Sequence, residues 1–274
     1  MKAWIFSDLH TQLHRSMGPL PVPEADVCIC AGNICADGPA SAVGYLGEHV
    51  SRMMPVILVA GNRDYYRSTI VEGGQEALAR TTKFPNVFFL DRGMAVVRGV
   101  RFVGATLWGD TELLVTQRLA LFVARRHAED FLKLKMSKRP SRRLSSAQLA
   151  TLSREDRDFL RQALETPNAG PTVVVTHHAP SSLSIPPELL AEALCPQLGG
   201  ELEGDILRHQ PTVWVHGNLS SRSDYRIAAT RVICNPRGYP GGAVRDFDPR
   251  LVIDLADHRS ALLEGSNPRP PAVH

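Results

Sequence analysis

Five short apolar runs, each closing in a polar cluster, constrain this chain more than any other feature. They are IFSDLH at 5–10, VCICAGN at 27–33, VILVAGNRD at 56–64, VVVTHHA at 173–179 and VWVHGN at 213–218. Each run is rich in β-branched residues and apolar at both phases of its alternation, the pattern of a strand covered on both faces. Such strands belong to α/β sheets, which place their ligand sites at the carboxyl ends of the strands. The runs carry Asp8, His10, Asn33, Asn62, Arg63, His177, His178, His216 and Asn218 to that position. Five clusters at the same strand end predict one shared site.

Between these runs the pattern alternates helices and strands. Residues 40–53 read as an amphipathic helix with Val43, Leu46 and Val50 at helical spacing, and a second helix covers roughly 68–80. Strand-like runs follow at 86–90, 94–98 and 100–106, with Gly99 turning a hairpin. Residues 111–136 read as a long helix carrying Leu114, Phe122 and Leu132, and 138–145 as a polar linker around Pro140. A helix over 146–165 ends before Pro167; its apolar positions are Leu149, Leu152, Phe159 and Leu160. Residues 186–209 suggest short helices and loops forming a lid, and 225–234 with 250–255 suggest strands of a second sheet. The expected organisation is one domain over 1–255 with a helical insert at about 111–165, then a loose polar, Pro-rich tail over 256–274. The insert is the expected specificity cap, with Trp108, Gly109 and Asp110 approaching the pocket.

In their order the clusters resemble the calcineurin-like metallophosphoesterase family. Its pattern is D-x-H, then G-D with a later D, then G-N-H-[DE], then a lone His after a strand, then G-H-x-H. This chain reads Asp8-Leu9-His10, Gly32-Asn33 with Asp37, Gly61-Asn62-Arg63-Asp64, His177, and Gly217-Asn218-Leu219-Ser220. The segment from Cys234 to Pro240 resembles the closing strand and loop of bacterial members, so the likeness runs from about residue 2 to residue 255. It implies a four-layer αββα sandwich of two mixed sheets. It also implies a two-metal site, one ion on Asp8, His10 and positions 33 and 220, the other on position 33, Asn62, His177 and position 218.

The departures from that pattern are Asn33 for the bridging Asp, Arg63 for the His beside Gly-Asn, and Asn218 and Ser220 for the two closing imidazoles. Two-metal chemistry needs a bridging carboxylate to screen one cation from the other, and Asn and Ser are much poorer ligands than imidazole. Arg63 cannot serve as a general acid near neutral pH, but it can grip an anion. The expectation is a degenerate family member that binds a small phosphorylated or anionic ligand with little or no ordinary phosphoesterase activity. No cofactor is expected to bind tightly; one weakly held Mn, Mg, Fe or Zn ion on Asp8, His10, Asn33, Asn62 and His177 is left open. Two alternatives stay open beside it. One is an enzyme with altered acid–base chemistry built on Asp8, His10, Arg63 and His177, and the other is a residual metal-dependent hydrolase. Ligand contacts are expected from Asn33, Asn62, Arg63, His178, Asn218 and Ser220, although His178 follows His177 directly and points the other way along an extended strand.

Plainer roles fit several neighbours. His216 reads as a support, Asp64 as the N-cap of the helix that follows, and Asp37 as a turn residue before Gly38-Pro39. Cys28 and Cys30 share one strand face and read as packing residues, whereas a thiol role for Cys35 is left open. The 274 residues are 43% hydrophobic with a net charge of +3, as suits one large α/β domain. No apolar stretch reaches membrane-spanning length and no signal peptide precedes the first strand, so the cytoplasm is the expected compartment. Lys133, Lys135, Lys138, Arg139, Arg142 and Arg143 form a basic run, with Arg125 and Arg126 upstream. No aromatic residues interleave with it, so nucleic acid is not an expected partner, while a protein partner is left open.

Overall fold

The computed structural model describes residues 1–14, 20–109, 132–184, 202–240, 244 and 246–255. Two sheets stack face to face. The first runs, in spatial order, β13 (Val252–Asp254), β1 (Lys2–Phe6), β2 (Val27–Cys30), β3 (Val56–Leu58) and β4 (Val87–Phe89). The second runs β11 (Ser223–Ile227), β12 (Thr230–Cys234), β10 (Val213–His216), β9 (Thr172–Thr176), β6 (Val100–Ala105) and β5 (Gly93–Val97). Both are mixed. β1 to β4 pair in parallel with β13 antiparallel at the edge, and the parallel strands β6, β9, β10 and β12 are flanked by antiparallel β5 and β11.

Strand alternation sorts the side chains into layers. From the first sheet, Ala3, Ile5, Val27, Ile29, Ile57 and Val59 meet Phe102, Val173, Val175, Val213, Val215 and Ile233 of the second. The opposite phase, Trp4, Phe6, Cys28, Cys30, Val56 and Leu58, packs under α1 (Pro39–His49) and α2 (Ile70–Thr81). On the far side, Val103, Val174, Trp214 and Val232 pack under α3 (Ser146–Glu165) and α4 (Glu203–His209). These are the four layers of an αββα sandwich. Because both faces of each sheet are covered, β2, β3 and the middle of β9 are apolar at both phases of their alternation.

The helices start where their local chemistry allows. Pro39 occupies the first turn of α1, where its missing N–H costs nothing. The hydroxyl of Ser145 accepts the Gln148 N–H at 3.2 Å while the Gln148 carboxamide accepts the Ser145 N–H at 3.0 Å, a reciprocal cap for α3. The hairpin between β5 and β6 turns at Gly99, whose φ of 80° favours glycine.

Three sequence expectations change. Residues 138–145 are not a linker: β7 (Lys135–Lys138) and β8 (Ser141–Arg143) form a hairpin. Leu134 and Leu144 at its base are buried in the first-sheet core, and Glu72 and Glu76 of α2 hold Lys138 through its backbone N–H and its ammonium. The strand at 250–255 joins the first sheet rather than the second, because it supplies the hydrogen-bond partners that β1 needs on its outer edge; the N-terminal ammonium also meets Asp254 at 2.9 Å. The expected helix over 111–136 lies largely outside the described residues, as does the tail, and of the lid at 186–209 only the part that forms α4 is described. Among the described residues no helix is long and apolar enough to cross a membrane.

The packing between the sheets makes a direct prediction. Phe102 is fully buried between them, so Phe102→Ala should lower unfolding free energy by about 3–5 kcal/mol in denaturant titrations, with little change in the denaturant slope.

Candidate functional site

The register aligns the strand ends. Phe6 lies opposite Cys30, and Cys30 opposite Leu58, so the loops leaving β1, β2 and β3 emerge along one edge. Val175 of β9 lies opposite Val215 of β10, and Gly217 N–H donates to the His177 carbonyl at 2.9 Å, which brings the second-sheet loops together at that edge. The two sets then interlock. Asn218 N–H donates to Asp8 Oδ2 at 3.0 Å, and His177 Nδ1 lies 2.7 Å from the Ala31 carbonyl.

Three donors hold the side chain of Asp8. Ser7 Oγ donates to Oδ2 at 2.6 Å, Asn218 N–H to the same oxygen, and Asn33 Nδ2 to Oδ1 at 2.9 Å. The other end of the Asn33 carboxamide accepts Arg63 N–H at 2.9 Å, so Asn33 spans the gap between Asp8 and the loop after β3. His177 must donate through Nδ1 to the Ala31 carbonyl, which fixes its tautomer and leaves the Nε2 lone pair facing Asn62 Oδ1, 3.1 Å away, so two acceptors converge there.

One backbone conformation recurs here. Asp8, His10, Asn33 and Asn218 have φ of 53°, 44°, 57° and 61°, all in the left-handed region that non-glycine residues rarely occupy. Strain of this kind persists where surrounding bonds over-determine it, and it gathers at functional sites. Gly32 and Gly61 leave no room for side chains between these loops: a Cβ on Gly61 would lie 2.3 Å from Asn33 Oδ1.

Asp64 stands at the acidic position of the G-N-H-[DE] pattern, but its role differs from the helix cap expected of it. It does not cap α2, whose N-cap is Thr69. Its carboxylate is buried and accepts four backbone N–H groups: Gly61 at 2.8 Å and Asn33 at 2.9 Å on one oxygen, Ile34 at 2.8 Å and Cys35 at 3.0 Å on the other. It therefore clamps the β2 loop to the β3 loop. Burial pushes this carboxyl up to about 7, against the four N–H groups, which favour the ionised form. Its match to the acidic position of that pattern is the sequence signal for Asp64, and the four donors that it gathers are visible only in the structure.

Burial also pushes His10 down to about 4; Asp8 opposes that shift, and Arg63 reinforces it. At neutral pH the 3.9 Å approach of His10 Nε2 to Asp8 Oδ1 is thus a contact with a neutral imidazole rather than an ion pair. His216 is wholly buried, with Nε2 2.8 Å from Ser184 Oγ and Nδ1 3.1 Å from its neighbour's carbonyl; burial lowers it to about 4. It supports β10 from behind the site. Burial raises the Cys35 thiol to about 12, so it stays protonated.

The structure thus brings Asp8, His10, Asn33, Asn62, Arg63, His177 and Asn218 together. Ser220 is exposed and has no hydrogen bond to the cluster among the described residues. The His178 ring stands at 82° to that of His177 and packs toward Trp108, with Nδ1 3.3 Å from the Thr106 carbonyl. Trp108 is fixed by Asp156 of α3, which accepts its N–H at 3.2 Å and pairs with Arg92 at 2.9 Å. Gly109 follows it, and Asp110 lies outside the described residues. Asp37 pairs with Arg67 on the surface, as a turn residue would. Among the described residues, no group of three or more His, Cys, Asp or Glu side chains is arranged to hold a metal ion. Asp8 and His10 on one side, and His177 with Asn62 on the other, are the groups that could contribute to one.

A family model described as calcineurin-like phosphoesterase matches residues 1–217. Among solved structures, the chain is similar to the phosphopantetheinyl hydrolase PptH from Mycobacterium tuberculosis, with 17% identity, a TM-score of 0.62, and 88% of this chain and 90% of that one covered. It is also similar to TT1561 of Thermus thermophilus, with 14% identity, a TM-score of 0.54, and 94% and 96% covered. At these identities the likeness concerns the fold alone. No curated protein matches the sequence.

Two outcomes test this geometry. Asp64→Ala orphans four buried N–H groups, each costing roughly 1–3 kcal/mol when unsatisfied, so its unfolding free energy should fall by at least about 3 kcal/mol. His216 takes up a proton on unfolding between its folded value of about 4 and its ordinary 6.5, so the stability it contributes above 6.5 is lost as pH falls through that window. The stability deficit of His216→Gln relative to the parent should therefore shrink by more than about 1 kcal/mol between about pH 7.5 and about pH 4.5 in paired denaturant titrations.

Proposed function

The chain belongs to the calcineurin-like phosphoesterase family, and from that premise we propose that its strand-end pocket binds a small phosphorylated or otherwise anionic ligand, with the family's dinuclear hydrolytic chemistry impaired. The observation that carries this reading is the Asn33 carboxamide. In the position where the family pattern has a carboxylate between two cations, Asn33 turns an N–H toward Asp8 and its oxygen toward a backbone N–H. A donor aimed at Asp8 Oδ1 competes with a cation for the same lone pair, and a neutral amide screens no repulsion between two ions.

When bound, a metal pair supplies an activated water and a clamp on the phosphoryl oxygens. The donor set here does not fit that pair. Both Asp8 oxygens already accept hydrogen bonds, and position 218 contributes a backbone N–H to Asp8. Position 220 offers an exposed hydroxyl in place of an imidazole. His177 Nε2 and Asn62 Oδ1 turn two lone pairs toward each other, which suits one cation and not a pair. Arg63 adds a fixed positive charge that opposes a cation and favours an anion. The neutral, buried His10 supports a second reading, in which it acts as a proton acceptor without metal.

The test is metal analysis of protein purified without added metal, followed by turnover of bis-p-nitrophenyl phosphate with excess manganese. The proposal expects no tightly held pair of ions and negligible turnover. Two tightly bound ions with brisk hydrolysis would overturn it, and turnover that survives a chelator would favour the second reading. Replacing all four departures together, Asn33→Asp, Arg63→His, Asn218→His and Ser220→His, is expected to raise both metal affinity and hydrolysis; even an outer-shell partner is worth roughly 10–100-fold in affinity, and three of these positions would be ligands.

A further inference from the structure

The second sheet ends on β5, and no described strand pairs beyond it. A two-residue turn joins β5 to β6: Arg98 and Gly99 have φ of 48° and 80°, and Val97 lies opposite Val100. In such a hairpin the pair closing the turn is hydrogen-bonded, and bonded pairs then alternate along the ladder. Val97, Ala95 and Gly93 therefore direct their N–H and C=O groups at β6, whereas Met94 and Val96 direct theirs away from the sheet. Among the described residues, no hydrogen bond from another loop or strand reaches those outward groups.

The side chains of the same two residues are 54% and 68% exposed, while Ala95 and Val97 pack between the sheets. Edge strands are ordinarily kept from pairing by a charge, a proline or a bulge, and Gly93–Val97 has none of these. The opposite edge of the same sheet is protected. In β11, which turns into β12 with Ile227 opposite Thr230, the residues at the corresponding positions are Asp224 and Arg226. One edge is thus charged and the other apolar.

We propose that β5 pairs antiparallel with β5 of a second copy of this chain, about a two-fold axis at Ala95, so that the two six-stranded sheets become one continuous sheet. The spacing of the outward residues selects a copy of itself. With the axis at Ala95, Met94 of one protomer faces the partner's Val96, and Val96 faces the partner's Met94. Each facing pair exchanges two N–H···O=C bonds, which satisfies every outward group on both strands. The same pairs stack their side chains across the seam. That register also brings Arg92 opposite the partner's Arg98, but these arginines are already paired with Asp156 and Asp26, which offsets the like charge. The strand itself carries no charge with which to select a different partner.

Sedimentation equilibrium of the full chain tests the proposal, from roughly 1 µM to roughly 1 mM because so small an interface associates weakly. The parent should pass from monomer to dimer across that range. Met94→Lys and Val96→Glu should each weaken the dimer by at least about tenfold, since each sets an unpaired charge in an apolar seam. Both positions are exposed, so far-UV circular dichroism should match the parent. The double change Met94→Lys with Val96→Glu should restore association, because each new lysine then faces a glutamate of the partner. A parent that stays monomeric throughout, or a dimer that both single changes leave intact, would overturn the proposal. A double change that associates no better than the single ones would overturn the register about Ala95.

Discussion

Four backbone N–H groups converge on the carboxylate of Asp64, and the site depends on that convergence. Gly61 belongs to the loop after β3, and Asn33, Ile34 and Cys35 to the loop after β2. Without an acceptor between them these buried donors would each lack a partner, at roughly 1–3 kcal/mol apiece. With it, the two loops are held close enough that only glycine fits at positions 32 and 61. Everything the cluster does with Asn33, Asn62 and Arg63 follows from this fixed spacing.

The left-handed conformations of Asp8, His10, Asn33 and Asn218 belong to the same set of constraints. Each costs energy that packing elsewhere offsets. The inter-sheet layer of Ile5, Ile29, Ile57, Phe102, Val175 and Val215 is fully buried, and it fixes where each strand ends. The chain then turns sharply, and the hydrogen bonds around Asp8 hold the turn in place. Asn, which tolerates positive φ better than most residues, stands at two of the four positions.

Hydrogen bonds tie positions 8, 33 and 63 together at the strand ends. An amide cannot match a carboxylate electrostatically, but it can satisfy Asp8 and Arg63 N–H at once. Arg63 and Lys133 lay positive charge against the rings of Tyr66 and Tyr239. A guanidinium keeps its charge across the whole physiological range, whereas His10 does not, because burial leaves it neutral.

Much of the fold was legible in the sequence because strands covered on both faces leave a distinctive apolar run. The runs at 5–10, 27–33, 56–64, 173–179 and 213–218 mark their own strand ends, and the α3 helix declares itself through Leu149, Leu152, Phe159, Leu160 and the Pro167 beyond its end. Local chemistry did not reveal the β7–β8 hairpin, because a polar stretch such as 138–145 becomes a strand pair only once Glu72 and Glu76 of α2 stand beside it. It did not reveal the place of β13 in the first sheet either, since an edge position is set by which neighbour lacks a partner. By itself the sequence determined which strands are covered on both faces and which polar residues arrive at one edge, because both follow from short-range alternation; the four layers were what the family resemblance implied. Only the tertiary structure decided that Asp64 binds two loops, that Asn33 donates to Asp8 and that Tyr239 lies on His10. Those contacts join residues far apart along the chain, and no local pattern encodes which of them meet.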